Sequence, residues 1–234
     1  MQYTPPRKRS QRPEAGFTLV ELMVVVSIIA LLISILTPSL SQARHEARIV
    51  ACMSNQRQIM VSMELYAKSF DGSWPAPTNA DGDQFWHLNH LYPFLYPRYT
   101  DLDPTPDELV RETIFACPSA NEVEASTGLQ RSYGMNAALL TDGTDPTANF
   151  DRYINPNTIR APSATGVTMD NQTPTVWYQN GDTLAWASSR HNGWTVVGFA
   201  DTHANRIQTE RLYFNDDPNL DQNNLNERVF WFGK

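Results

Sequence analysis

The residue types best suited to chemistry gather toward the C-terminus, where His191, Asp201 and His203 fall within 13 positions of one another. Imidazole and carboxylate are ligand types for zinc and other transition metals, so a hairpin that brought two or three of them together would offer a metal site. Asp201 and His203 share strand parity, but they fall at a strand end, where pleat direction is irregular. Hydrogen bonding and turn capping is the expected role of all three, with metal ligation as the alternative. Asp216, Asp217, Asn219 and Asp221 form an oxygen-rich loop of a kind that suits Ca²⁺. Its spacing lacks the glycine and distal glutamate of an EF-hand, so a solvated acidic loop is the expectation. His87 and His90, beside Trp86, read as packing residues. The two cysteines, Cys52 and Cys117, are too few for a disulfide scaffold or a four-cysteine zinc site. No G-x-S-x-G, phosphate-cradling glycine loop, H-E-x-x-H or C-x-x-C occurs, and the sequence predicts no enzyme.

The elements that must position these residues begin with an apolar one. The chain has 234 residues and a net charge of −7, and the charge is uneven. Arg7, Lys8, Arg9 and Arg12 against Glu14 give residues 1–16 a charge of +3, which leaves −10 on residues 17–234. An acidic body argues against nucleic acid as a partner. Residues 17–36 are apolar almost without interruption, and 20 helical residues span roughly the ~30 Å hydrocarbon core of a bilayer. A secretory signal peptide would have a shorter apolar region and small residues at its cleavage site, whereas Thr37-Pro38-Ser39 follows here. A plain anchor would explain the length but not Glu21, whose charge costs ~2.5–3.5 kcal/mol at the centre of a bilayer and less near an interface.

The residues Gly16-Phe17-Thr18-Leu19-Val20-Glu21, with the basic leader before them and Pro38 after the apolar run, resemble the processing site of type IV prepilins and type II secretion pseudopilins. The resemblance implies that a prepilin peptidase cuts after Gly16 and that Phe17 is then N-methylated. It implies other pilin or pseudopilin subunits and an inner-membrane assembly machinery as partners. Pro38 falls where the family's long helix commonly has a kinking proline. Cleavage would expose an α-amine at Phe17 about one helical turn from Glu21. By the same resemblance, the glutamate of one subunit meets the amine of its neighbour, and two charges costly alone in lipid compensate each other. The expected location is the inner membrane in a single pass, N-terminus cytoplasmic and globular domain extracytoplasmic, with a fibre after assembly.

Beyond Pro38, Leu40, Ala43, Ala47 and Val50, then Ile59, Met63, Tyr66 and Phe70, recur in steps of three and four among polar residues. This predicts an amphipathic stretch that continues the apolar one as a single helix from about Phe17 to Phe70, ended by Asp71-Gly72. The Ile59–Phe70 half should face a core, and the Leu40–Val50 half a core or other subunits. Cys52 lies 16 residues past Leu36, roughly 24 Å along a helix, hence outside the bilayer in an oxidising compartment. A Cys52–Cys117 disulfide is expected there.

Residues 71–234 form the expected globular domain. Residues 73–106 mix aromatics with prolines and read as core cover, with a ligand platform as the alternative. A short helix is expected at 107–112. Strands are expected at 165–169, 175–178, 194–200, 205–209 and 229–232, with Asn192-Gly193 as a tight turn. The fold class is α+β, with the long helix packed by its C-terminal half on an antiparallel sheet. The stretches at 52–59, 115–119 and 132–136, with Arg190-His191-Asn192-Gly193 leading to Asp201-Thr202-His203, resemble more loosely a bacterial pilin-like subgroup with a C-terminal His…Asp-Gly-His segment. Thr202 replaces the glycine, which predicts a different turn geometry after Asp201. Two functional readings follow: a structural subunit of a pseudopilus or type IV pilus-like fibre, or a membrane-anchored extracytoplasmic ligand-binding protein.

Overall fold

A computed structural model describes residues 17–77, 86–96, 113–120, 132–140, 153–171, 175–176, 190–212, 230 and 233. The expected helix at 107–112, the strand at 229–232 apart from Phe230, and the acidic loop with Asp216, Asp217 and Asp221 lie outside the described residues. Helix α1 (Leu19–Ser69) passes through two compact units that divide between Arg44 and His45.

In the first unit the helix is apolar on every side. Leu22, Met23, Val24, Val25 and Val26, successive residues that point around the helix, are all exposed, and no residue of the 18-residue stretch apolar enough to cross a membrane is buried among the described residues. A helix apolar all round needs lipid or another protein as its cover. The few hydroxyls are satisfied locally: Ser27 donates to the Met23 carbonyl at 2.7 Å, Ser34 to Leu31 at 2.8 Å and Thr37 to Ile33 at 2.7 Å. Pro38 lies inside the helix without ending it.

In the second unit the same helix becomes one-sided. Ile49, Cys52, Gln56, Ile59, Met60, Met63, Tyr66 and Ala67 are buried, a stripe with the helical period. The expected stripe holds at Ile59, Met63 and Tyr66. It differs at its edges: Val50 is exposed and Ile49 takes the inward place, while Phe70 is half-exposed and stacks on Tyr66 with ring centroids 4.1 Å apart. Asp71 and Gly72 both take positive φ, and the Gly72 N–H bonds back to the Ala67 carbonyl at 2.8 Å, a closure of the Schellman type.

The stripe lies on a sheet ordered β3-β1-β2-β4-β5. Its strands are β1 (Tyr133–Asn136), β2 (Gly166–Asp170), β3 (Thr175–Val176), β4 (Trp194–Phe199) and β5 (Ala204–Gln208). β1, β2, β4 and β5 form the antiparallel sheet, and the two-residue β3 adds in parallel at the β1 edge. Gly198 allows the helix to approach: a β-carbon there would stand 2.6 Å from Thr168 Oγ1 and 2.8 Å from Met60 Cγ. Across this contact the Thr168 hydroxyl donates to Gln56 Oε1, a buried link between α1 and β2.

The described part of the aromatic segment is core cover. Trp74, Trp86 and Leu91 are fully buried, Tyr92 nearly so, and Trp86 meets Phe115 edge-on at 6.1 Å. Trp74 satisfies its indole N–H on Glu64 at 3.0 Å and pairs its backbone with Ile154.

Candidate functional site

Three groupings gather the residues singled out by the sequence. The first is the start of α1. The Thr18 N–H and hydroxyl donate to Glu21 Oε2 at 2.9 and 2.7 Å, and the Glu21 N–H returns to Thr18 Oγ1 at 3.3 Å. This is a capping box, with Thr18 at N-cap and Glu21 three residues on. Its sequence signature, Thr-x-x-Glu before an apolar run, is plain in residues 18–21. Glu21 thus closes its own helix end besides carrying a charge beside Phe17. Gly16 lies outside the described residues.

The second grouping is the turn after β4. Asp201 Oδ1 accepts from the His203 backbone N–H at 3.3 Å and contacts the His203 ring at Nδ1. The imidazole stacks on Phe199 at 4.2 Å and 6° between planes. Both residues are partly exposed. Thr202 has φ +73°, the left-handed conformation that glycine adopts without steric cost. Two backbone bonds close the turn: Thr202 N–H to Phe199 O and Phe199 N–H to His203 O, both 2.9 Å.

His191 does not join that turn. It precedes β4 while Asp201 and His203 follow it, so the strand separates them and the three cannot share one ion. The third grouping is where His191 goes. Its imidazole is fully buried, with Nε2 3.4 Å from Cys117 Sγ and 3.2 Å from Asp170 Oδ2. The Asn192-Gly193 turn sets this position: both residues have positive φ, and the Trp194 N–H closes on the His191 carbonyl at 3.2 Å. Cys117 is joined to Cys52 of α1, with the two Cα atoms 5.5 Å apart. Asp170, at the end of β2, accepts the Val196 N–H on Oδ2 at 2.7 Å. Nε2 facing that carboxylate must carry the proton, since two lone pairs would otherwise meet. Tyr133 lies close by, and burial first, then the Asp170 charge, pushes its hydroxyl far above the usual tyrosine range, so it stays protonated.

Reading the sequence missed Asp170 and Gly198. A carboxylate ending a strand looks like a turn residue, and Gly198 inside an apolar strand was the one signal of a close backbone approach. A groove beside α1, lined by Arg57, Gln58, Val61, Leu95, Tyr96 and Ile114, is open. Arg57 is its one charged side chain among those residues.

No curated protein and no solved structure matches the chain. Residues 11–37 match the prokaryotic N-terminal methylation motif. That span holds the Gly16-Phe17 junction, the capped Glu21 and most of the exposed apolar helix, so what the chain carries at its N-terminus is the prepilin-type signature of type IV pilins and pseudopilins.

Proposed function

We propose that the chain is a structural pilin-like or pseudopilin subunit, cut after Gly16 by a prepilin peptidase and N-methylated on Phe17. It then assembles through its N-terminal helix into a type II secretion pseudopilus or a type IV pilus-like fibre. The observation that carries this reading is the methylation motif at residues 11–37, which runs into a helix whose apolar surface has no cover among the described residues. Before assembly lipid supplies that cover, and in a fibre the helices of neighbouring subunits supply it. Residues 1–16 are the leader, 17–70 the long helix with its span at 17–36, and 71–234 the extracytoplasmic domain, anchored in the inner membrane. An assembly machinery in that membrane extracts the processed subunit. The domain contributes a rigid disulfide-linked head and no chemistry.

Two measurements on material from the native host test it. Intact-protein mass spectrometry should show loss of residues 1–16 and gain of one methyl group, and sheared or detergent-resistant filaments should contain the processed chain. A mature chain that starts elsewhere overturns the processing step. A chain processed at Phe17 but always monomeric would favour the anchored ligand-binding protein.

A further inference from the structure

Cys52, Cys117, Asp170 and His191 are all buried, and one ligand atom from each lies within 4.8 Å of the others. These are two soft sulfurs, an imidazole and a carboxylate, a donor set that suits Zn²⁺ rather than the all-oxygen cations. We propose that the chain binds one Zn²⁺ through Cys52 Sγ, Cys117 Sγ, His191 Nε2 and an Asp170 oxygen once the Cys52–Cys117 bond is reduced. The pocket then has two forms, a disulfide and a metal centre.

Two of the ligand pairs already stand at tetrahedral distances. Metal–sulfur and metal–nitrogen bonds of ordinary length place sulfur about 3.6 Å from nitrogen, and nitrogen about 3.3 Å from oxygen. The structure has Cys117 Sγ to His191 Nε2 at 3.4 Å and His191 Nε2 to Asp170 Oδ2 at 3.2 Å. The two bonded sulfurs must part, to about 3.8 Å for a tetrahedral pair, and every other pair lies within 4.8 Å. A second observation points the same way. Asp170 Oδ1 is buried with no hydrogen-bond partner among the described residues, while Oδ2 holds the Val196 N–H. A lone buried carboxylate oxygen is costly, and a cation relieves it.

The steps balance. A dithiol reductant supplies two electrons and two protons; the Cys52–Cys117 bond breaks, each sulfur gains a proton, and the reductant leaves as its own disulfide. Zn²⁺ then displaces both thiol protons to solvent, and the His191 proton passes from Nε2 to Nδ1 by exchange with solvent, which frees the Nε2 lone pair for the metal and leaves the imidazole neutral. Its two positive charges offset the two thiolates, so the net charge of the pocket equals that of the disulfide form.

The test uses the full chain in detergent, reduced with a phosphine, which is not a thiol and does not compete through sulfur, and titrated anaerobically with Co²⁺. One equivalent should bind, with the visible bands of a tetrahedral ion and a near-ultraviolet sulfur-to-cobalt band, and Zn²⁺ should displace it. The unreduced chain should bind none. His191→Ala and Asp170→Asn should each weaken binding by about tenfold or more, while His203→Ala, at the exposed turn, should leave it unchanged. If reduction alone loosens the fold, one equivalent of Zn²⁺ should restore the circular dichroism of the oxidised chain. A reduced parent that gives no sulfur-to-cobalt band overturns the proposal, as does equal affinity in His191→Ala and Asp170→Asn.

Discussion

Gly198 of β4 faces Met60 of α1 so closely that a β-carbon would come within 2.8 Å of Met60 Cγ, and within 2.6 Å of Thr168 Oγ1 beside it. Neither neighbour has room to retreat, since Met60 and Thr168 are fully buried and Thr168 is bonded to Gln56. Gly198→Ala should therefore destabilise the domain by about 1–3 kcal/mol, the usual cost of overpacking a filled interior. Denaturant unfolding of the full chain in detergent measures it. An unchanged midpoint would mean that α1 does not lie this close to the sheet.

The long helix and four of the strands were legible because their residues or the turns beside them carry local signals. Ile59, Met63 and Tyr66 keep the helical period, β2, β3 and β4 hold β-branched or aromatic residues, and β5 follows the turn at Asp201-Thr202-His203. β1 was not legible, because Tyr133-Gly134-Met135-Asn136 has no β-branched residue and a glycine inside it. The metal-type residues were legible as types and not as a set. His191 lies next to Asp201 and His203 in sequence but packs with Cys117 and Asp170, since a strand carries the chain away from the turn. Only the Asn192-Gly193 turn and the closure of a loop between residues 52 and 117 bring those groups together, and a sequence pattern records neither distance.

Thr202 holds a left-handed backbone conformation that costs a side-chain-bearing residue roughly 1–2 kcal/mol. Glycine removes that cost and gives back about 0.5–1 kcal/mol as lost chain entropy. Thr202→Gly should thus raise stability by up to about 1 kcal/mol, seen as a higher melting temperature with no change in the circular dichroism. A lower melting temperature would show that the threonine side chain supports the turn more than its backbone strains it.

His90 lies edge-on to Tyr66 and Tyr153, with centroids 6.2 and 6.5 Å away, and its burial lowers its pKa below 6.5. Below that value the unfolded chain takes up the proton more readily than the folded one. The part of the stability that depends on a neutral His90 is therefore complete above 6.5 and is lost as pH falls through the folded pKa. His90→Phe keeps a ring and removes the titration. Its melting temperature should fall less than the parent's between about pH 7.5 and about pH 5.5. Parallel slopes for the two proteins would place the pH sensitivity elsewhere.

Glu21 caps α1 through Thr18, and in the fibre proposed above its charge would also meet the Phe17 amine of a neighbouring subunit, so a single apolar substitution would remove both. Glu21→Gln separates them. A glutamine at this position still accepts from Thr18 and preserves the capping box, so the helix should start where it does now. The charge is gone, and the Phe17 amine of the next subunit enters an apolar surrounding without a partner, a loss of ~1.5–3 kcal/mol for a charged hydrogen bond. Membrane insertion should be as good as the parent's or better, because a costly charge has been removed. Fibre yield from the native host should fall by about tenfold or more. Thr18→Ala gives the complementary case, in which the charge stays, a cap worth ~1 kcal/mol is lost and assembly continues. If Glu21→Gln assembles normally and Thr18→Ala does not, Glu21 serves the helix end and pairs with nothing between subunits.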